Sequence, residues 1–214
     1  MESSLVDFNI WSPHWNPRTE KVSRITPHCT AGEVTAQSLG NWFARPTTKA
    51  SSNYGIGKDN KIACFVPEEK RSWASSSRDN DHKAITIECS SKNIAPFEVD
   101  QKVFDTLIML TTDICLRYNT RVLKWIPEKN LALSYKLSED EMLITLHRWF
   151  TATECPGQWL FDHMAEYATK VTEAIQKEQK IYCVQVGVFR YKQNAIALCQ
   201  MLRDEGHPAF IVEK

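Results

Sequence analysis

The segment from residue 83 to residue 118 constrains the fold more than any other part of the chain. Residues 83–89, KAITIEC, are rich in β-branched and apolar residues and lie between polar clusters, which predicts a central strand. Residues 98–118 carry apolar residues at helical spacing and predict the principal helix. The residues with this spacing are Val103, Leu107, Leu110 and Ile114. A buried strand followed by a long amphipathic helix is typical of the α/β class.

Segments on both sides of this region continue the alternation of strand and helix. We expect strands at 24–29 and 142–150, a hairpin at 50–67 with KDN as its turn, and helices at 35–44 and 157–180. The sequence before residue 24 is polar and contains two prolines, so it predicts an irregular leader. The prediction is therefore an α/β fold with a mixed central β-sheet flanked by helices.

The pattern changes again after the polar run QKEQK, which ends at residue 180. A strand, a helix that stops at a glycine and a second strand are expected at 182–189, 192–206 and 208–214.

These segments divide the chain into a large first domain at 1–176, a linker at 177–180 and a small β-α-β unit at 181–214. A free-standing unit of fewer than about 40 residues is rarely stable alone. The C-terminal unit therefore needs to pack on the first domain, on a partner chain or on a second copy of itself.

Charge and hydropathy exclude several classes of function. Lys+Arg and Asp+Glu both number 26, so no overall basic field is present to hold nucleic acid. The apolar runs are too short to span a bilayer, and the N-terminus lacks the basic and apolar regions of a signal peptide. We expect a protein that is made in the cytoplasm and binds neither nucleic acid nor membrane. The seven cysteines occur singly, which favours free thiols over a disulfide framework.

His28, His147 and Cys155 are the residues most suited to chemistry. His28 and His147 lie near the ends of predicted strands, where sites of α/β proteins collect, and Cys155 follows His147 across a short loop. Two imidazoles and a thiolate, with a fourth position left to water, are what a catalytic Zn²⁺ needs. The spacing alone leaves Cys155 open to other roles: a buried thiol, half of a disulfide or a nucleophile.

Four motifs that occur in a fixed order narrow these alternatives. They are RITPHCTAG, ASSNYGIGKDNKI, DNDHKAITIE and HRWFTATECPG. Together they resemble the zinc-dependent N-acetylmuramoyl-L-alanine amidases of the amidase-2 family. This family includes the T7 lysozyme type, the cytoplasmic anhydromuropeptide amidases and the peptidoglycan recognition proteins. The resemblance covers residues 10 to 175 or so and is closest to phage-type endolysins.

The resemblance implies a role for each matching residue. His28, His147 and Cys155 match the three protein ligands of Zn²⁺. Tyr54 matches a tyrosine that faces the metal, Thr153 stands where catalytic relatives often carry lysine, and Glu88 matches a glutamate proposed to handle protons. The implied reaction is hydrolysis of the amide between the lactyl group of N-acetylmuramic acid and L-alanine. In it Glu88 acts as general base on the zinc water, while Tyr54 and Thr153 stabilise the tetrahedral intermediate.

Further residues and a cellular role follow from the same resemblance. Trp42, Trp73, Ser75 and Asn80 are candidates for contacts with the peptide or sugar of the substrate. Cys29 follows His28, and strand alternation predicts that its thiol points away from the site. We expect an endolysin that reaches the cell wall through holin-mediated release. The alternatives are a peptidoglycan-binding protein without turnover and an intracellular recycling amidase.

The C-terminal unit resembles the first half of a SPOR domain, a ferredoxin-like module that binds peptidoglycan glycan strands. That fold needs two such halves, and only one is present at 181–214. The missing half leads us to the hypothesis that two tails complete one sheet and form a homodimer. Glycan binding by the tail is a further expectation.

Overall fold

The computed structural model describes residues 2–178 and 185–213. The chain divides into two compact units, residues 1–179 and 180–214. Unit 1 is a mixed β-sheet flanked by helices, as the sequence predicts.

The centre of unit 1 is a sheet that contains seven strands of the described residues, in the order β1-β5-β4-β7-β3-β9-β8. Only the β4–β5 pair is antiparallel. A separate antiparallel pair joins β2 and β6. The strands are β1 (Phe8–Asn9), β2 (Trp15–Pro17), β3 (Arg24–Cys29), β4 (Tyr54–Ile56), β5 (Ile62–Cys64), β6 (Lys70–Ser72), β7 (Ala84–Cys89), β8 (Val122–Lys124) and β9 (Glu141–Ile144).

The register of strand pairing gives the central sheet an apolar face and a polar face. His28 of β3 pairs with Glu88 of β7, which in turn pairs with Gly55 of β4, so these three residues share one face. Tyr54 pairs with Ile87 on the opposite face. Side chains alternate along a strand, so Ile87 and Cys89, the neighbours of Glu88, point into the apolar core.

The apolar face is covered by two long helices, α3 (Gln101–Arg117) and α6 (Met164–Glu178). Asp100 caps α3 by accepting a hydrogen bond from the backbone N–H of Lys102, and the buried residues of the helix recur at helical spacing. The principal helix is therefore present where the sequence predicts it. The larger hydrophobic cluster lies between these helices and the sheet.

The polar face is covered only in part, by α1 (Ala36–Phe43) over strands β4 and β5. Leu39 and Phe43 of this helix form a smaller cluster with Phe65. A side chain at Gly55 would collide with Phe65 and Leu39, so glycine lets the helix approach the sheet. Helix α1 does not cover the part of this face that carries Glu88 and His28, next to Gly55, and the candidate functional residues lie there.

Several boundaries differ from the predictions. The strand expected at 142–150 ends at Ile144 and is followed by a 3-10 turn at His147–Trp149. The helix expected at 157–180 is divided into α5 (Gln158–Asp162) and α6, with His163 between them. The leader contains β1 and β2. Two short helices and two short strands were not predicted: α2 (Arg78–Lys83), α4 (Lys129–Ser134), β6 and β8.

Unit 2 contains one helix, α7 (Lys192–Asp204), in its described part. The strands expected at 182–189 and 208–214 are absent from described residues 185–213, and residues 181–184 lie outside the described part. A strand needs a hydrogen-bonded neighbour, and the half-module offers none between these segments. Part of the predicted linker is also different, because α6 extends to Glu178; residues 179–180 lie outside the described part.

Within the described residues, no helix combines the length and the apolar character needed to cross a bilayer.

Candidate active site

Three side chains from two distant parts of the sequence converge at the carboxyl ends of the central strands. His28 is near the end of β3, His147 begins the 3-10 turn after β9, and Cys155 lies in the loop that follows this turn. One potential ligand atom from each residue lies within 4.8 Å of the others. Strands β3 and β9 are parallel neighbours, so their carboxyl ends meet and bring the two histidines together.

The distances within this cluster suit a small metal ion. His28 Nδ1 lies 3.3 Å from Cys155 Sγ, and the two imidazole ring centres are 5.0 Å apart. Around a tetrahedral Zn²⁺, with Zn–N of 2.0–2.1 Å and Zn–S of 2.3 Å, the nitrogen and sulfur ligands are about 3.5 Å apart. The spacing of His28 and Cys155 is close to that edge length.

Burial keeps both imidazoles in the form that binds metals. Desolvation lowers the pKa of His28 to about 3, with a smaller contribution from His147. Burial also lowers the pKa of His147. Both rings are therefore neutral near pH 7, which leaves a nitrogen lone pair on each for coordination.

The histidines also have unused hydrogen-bonding capacity. The buried Nε2 atoms of His28 and His147 have no hydrogen-bond partner among the described residues. A buried polar atom without a partner is costly unless a ligand, an ion or water satisfies the site. The donor set, the spacing, the neutral rings and these unpaired atoms all fit a Zn²⁺ held by two imidazoles and one thiolate.

Cys155 is held by bonds from the turn that carries His147. The backbone carbonyl of Cys155 accepts a hydrogen bond from the backbone N–H of Arg148, at 3.1 Å. Its backbone N–H donates to Oγ1 of Thr153, at 3.2 Å. Gly157 has a positive φ of 88°, and a side chain there would collide with Phe97. Glycine therefore permits the sharp turn from this loop into α5.

Glu88 stands beside His28 on the polar face. Its Oε1 lies 3.9 Å from His28 Nδ1, and because that imidazole is neutral the contact is not an ion pair. Burial raises the pKa of Glu88 to about 8, and the nearby Cys29 thiol contributes in the same direction. A bound cation would favour the ionised form instead. The structure thus brings Glu88 to the three candidate ligands.

Cys29 differs from its prediction. Its thiol interacts with that of Cys155, so it does not point away from the site as predicted. Cys29 is the last residue of β3, and the chain turns two residues later at Ala31, where φ is 48°. Strand alternation therefore does not fix its direction. The sequence offered a signal for this contact only in the adjacency of Cys29 to His28.

A groove of about 370 Å³ opens beside the cluster. Cys29 and Glu88 form part of its lining, and Ser38, Leu39 and Trp42 of α1 form another part. The Trp42 ring is half exposed, and the guanidinium of Arg45 lies over it at 5.3 Å. Of the four predicted substrate contacts, Trp42 is the one that lines this groove.

Tyr54 does not reach the cluster, which corrects its predicted position facing the metal. It is fully buried on the apolar face of the sheet. Its hydroxyl donates to Glu68 Oε1 at 2.6 Å and accepts from the backbone N–H of Ser3 at 3.1 Å. Burial and the carboxylate of Glu68 raise its pKa far above the usual range. Tyr54 is therefore a structural residue.

Ser75 and Asn80 are also buried, so neither can contact a substrate as predicted. The Ser75 hydroxyl donates to Asp81 Oδ1 at 2.5 Å. The Asn80 amide donates to Thr26 Oγ1 at 3.1 Å and accepts from Thr145 Oγ1 at 3.0 Å. This network ties α2 to strand β3 and to the residue that follows β9, beneath the cluster. Thr26 and Thr145 each lie two residues before a candidate histidine ligand, so these bonds help to fix the strand segments that carry both histidines.

Trp73 is occupied by contacts within the protein. Its indole N–H donates to Asn16 Oδ1 at 2.7 Å, and its ring lies 5.4 Å from that of His14. It is not among the residues that line the groove next to Glu88. The structure therefore does not bring Trp73 to the candidate site.

Comparisons with known proteins agree with this architecture. The chain is similar in structure to the Staphylococcus aureus hydrolase AmiA, with a TM-score of 0.59 and 11% identity over 83% of this chain and 86% of that one. It is similar to a mutant endolysin from Bacillus subtilis, with a TM-score of 0.57 and 17% identity over 78% and 99% of the two chains. The chain is also similar to the catalytic domain of PlyG, with a TM-score of 0.56 and 17% identity over 84% of this chain and 97% of that one. At these identities the likeness shows a shared fold.

Sequence comparison identifies the family. No curated protein sequence is significantly similar to the chain. A family model described as N-acetylmuramoyl-L-alanine amidase matches residues 18–158, which include all three candidate ligands and well over half of the chain. The chain therefore belongs to the amidase-2 family of N-acetylmuramoyl-L-alanine amidases, which are peptidoglycan hydrolases.

Proposed function

We propose that this amidase is a zinc-dependent endolysin that cleaves the amide bond between N-acetylmuramic acid and L-alanine. The observation that carries the proposal is the convergence of His28, His147 and Cys155, with Glu88 beside them. A peptidoglycan-binding protein without turnover would need neither a complete ligand set nor an acid-base group next to it.

His28, His147 and Cys155 would hold the metal with two neutral nitrogens and one sulfur. A bound Zn²⁺ would polarise the scissile carbonyl and lower the pKa of a water molecule that it binds. The protein would contribute a fixed ligand arrangement, because β3 and the turn after β9 set the positions of both histidines. Such preorganisation stabilises developing charge without further rearrangement.

Glu88 is our candidate for general base and acid. It would accept a proton from the attacking water and donate one to the leaving amine of L-alanine. Its carboxyl oxygen is 3.9 Å from His28 Nδ1, and the residue also lines the groove. It can therefore reach both the candidate ligand cluster and a substrate lying in the groove.

Thr153 and Trp42 are candidates for contacts with the substrate. Thr153 is exposed, and its oxygen already accepts a hydrogen bond from the backbone N–H of Cys155. Its hydroxyl proton can then be donated to an oxyanion, although a neutral donor stabilises less than a lysine would. The exposed face of Trp42 offers a surface for a sugar ring or an apolar part of the stem peptide.

The C-terminal unit is proposed to bind wall glycan or to join two chains. Its described part exposes apolar side chains in the segments before and after α7 in the sequence, among them Val188, Tyr191 and Phe210. A second copy of the unit could cover them and supply the missing half of a sheet. Analytical sedimentation at micromolar concentration tests the proposed joining of two chains: a dimer supports it, and a monomer contradicts it. Holin-mediated release remains part of the proposed endolysin role.

Mass spectrometry of digested cell wall tests the proposed reaction. Purified protein is expected to release stem peptides with a free L-alanine amine and to leave N-acetylmuramic acid with a free lactyl carboxyl group. A chelator in excess should stop this release, and added Zn²⁺ should restore it. Cleavage at a glycosidic or peptide–peptide bond would contradict the proposal, as would full activity after the chelator has removed all metal.

A further inference from the structure

Arg148 connects the two segments that carry His147 and Cys155. It follows His147 in the 3-10 turn, and its side chain crosses to the loop of Cys155. Its Nη2 donates to the carbonyl of Glu154 at 2.6 Å, and its Nε approaches the carbonyl of Cys155 at 3.4 Å. Two successive carbonyls of the loop are therefore bound by one guanidinium.

The guanidinium is itself held in place by neighbouring groups. Its Nη1 contacts Gln158 Oε1 at 3.4 Å, and its central carbon lies 5.3 Å from the centre of the Phe161 ring. Both of these residues belong to α5, which begins just after the loop. Arg148 thus joins the turn of His147, the loop of Cys155 and the helix that follows.

Apart from the Arg148 side chain, local hydrogen bonds hold the loop of Cys155. The backbone N–H of Arg148 donates to the carbonyl of Cys155 at 3.1 Å, and the backbone N–H of Gly157 donates to the carbonyl of Glu154 at 2.8 Å. Residues 151–154 are exposed. Cys155 must nevertheless stay within about 3.5 Å of a histidine nitrogen to share a tetrahedral zinc ion with it. An exposed loop that carries a metal ligand needs outer contacts to orient that ligand.

We propose that Arg148 is the positioning residue that orients Cys155 toward the metal. The inference rests on the proposed zinc site and assigns to it a supporting residue that is not one of the three candidate ligands. The planar guanidinium can donate to two carbonyls at once, whereas a lysine ammonium acts as a point donor on a flexible stem. Arginine is therefore needed here for its geometry as well as for its charge.

The test measures the zinc affinity of the full-length chain by competition with a chromophoric chelator. Arg148→Ala is expected to weaken zinc binding by about 10- to 100-fold, the loss typical of outer-shell partners. Arg148→Lys should fall between this variant and the native chain. Gln158→Ala is the matched control, because among the contacts of the guanidinium it removes the one at Nη1 and leaves both carbonyl bonds. Among the described residues, the Gln158 side chain otherwise bonds only to Asp162 of the same helix, so this variant should bind zinc nearly as the native chain does.

Cobalt substitution gives a second measurement that does not depend on activity. Co²⁺ bound through Cys155 gives a thiolate charge-transfer absorption in the near ultraviolet, and Arg148→Ala should weaken or shift this band. The melting temperature of the metal-free protein reports a purely structural role. Unchanged zinc affinity and an unchanged cobalt band in Arg148→Ala would overturn the inference, whether or not the protein melts at a lower temperature. Failure of the native chain to bind zinc would instead contradict the proposed function.

Discussion

Cys155 and Cys29 are neighbouring thiols with different expected roles. Cys155→Ala should weaken zinc binding by more than about 100-fold, because it removes a ligand rather than an outer-shell partner. Cys29→Ala is the matched control, because it also removes a thiol at the same place. We expect this variant to keep stoichiometric zinc. Metal analysis after gel filtration distinguishes the two, and equal zinc contents would contradict the ligand assignment.

Glu88→Gln separates proton transfer from metal binding. The amide is close in size to the carboxylate but cannot act as a base at neutral pH. We expect kcat to fall by at least about 100-fold, within the range typical of a general acid-base group. Zinc content should be unchanged, because Glu88 is not one of the three candidate ligands. A Gln variant with native kcat would remove Glu88 from the mechanism.

Tyr54→Phe tests whether the Tyr54 hydroxyl has a structural role or takes part in the reaction. The change removes a hydroxyl that bonds to Glu68 and to the backbone of Ser3. Loss of these buried hydrogen bonds should cost about 1–2 kcal/mol in the free energy of unfolding. The kcat should stay native, since the hydroxyl lies on the face of the sheet opposite Glu88. A large loss of kcat with native stability would restore Tyr54 to the site.

For single residues, the sequence predicts the type of a site residue better than the direction of its side chain. The candidate ligands are recognisable because the motifs fix the residue types and their order along the chain. Side-chain direction is different, because it depends on register and on partners far away in sequence. Asn80 looks like a polar loop residue in DNDHKAITIE, yet it is buried and its amide is hydrogen-bonded to Thr26 and Thr145. Nothing local in the sequence marks these two partners.

At the scale of elements, a buried ion pair anchors the end of α3. Both guanidinium nitrogens Nη1 and Nη2 of Arg117 lie 2.7 Å from the carboxylate of Glu68, which is fully buried and follows β5 in the chain. Arg117→Ala should lower the free energy of unfolding by about 3 kcal/mol, because it leaves a buried carboxylate without its charge partner.

The matched control for this prediction is Lys170→Ala on α6. Lys170 pairs with Glu166 one turn away, but both side chains are exposed. An exposed pair of this kind contributes little, so no measurable change is expected. Denaturant unfolding of both variants gives the comparison. Equal effects of the two changes would contradict the assigned role of the Glu68–Arg117 pair.

The boundaries of helices and strands were predictable where apolar residues recur at regular spacing along the sequence. They were less predictable where tertiary contacts determine them. Helix α3 and strands β3 and β7 follow their predicted segments closely. The break between α5 and α6 was not visible, because His163 is compatible with a helix. In the structure its ring stacks on Trp159 at 3.9 Å, and its Nδ1 lies 2.7 Å from the Trp159 carbonyl.

At the scale of the whole molecule, the two units differ in how much structure the sequence could specify. Both large clusters of buried apolar residues lie within the first 175 residues, so unit 1 has its own core among the described residues. The strands predicted for unit 2 have the right composition, but composition cannot supply the hydrogen-bonding neighbours that a strand requires. The predicted helix of this unit is therefore present at Lys192–Asp204, whereas the two predicted strands are absent from described residues 185–213.

The dependence of amide hydrolysis on zinc bound by His28, His147 and Cys155 is the central claim. It is tested most directly by returning zinc in steps to the chelated full-length protein while the release of L-alanine amines from cell wall is followed. We predict that activity is absent without metal and rises linearly until one equivalent of Zn²⁺ has been added. Hydrolysis at the full rate in the metal-free protein, or no recovery after one equivalent, would contradict the account.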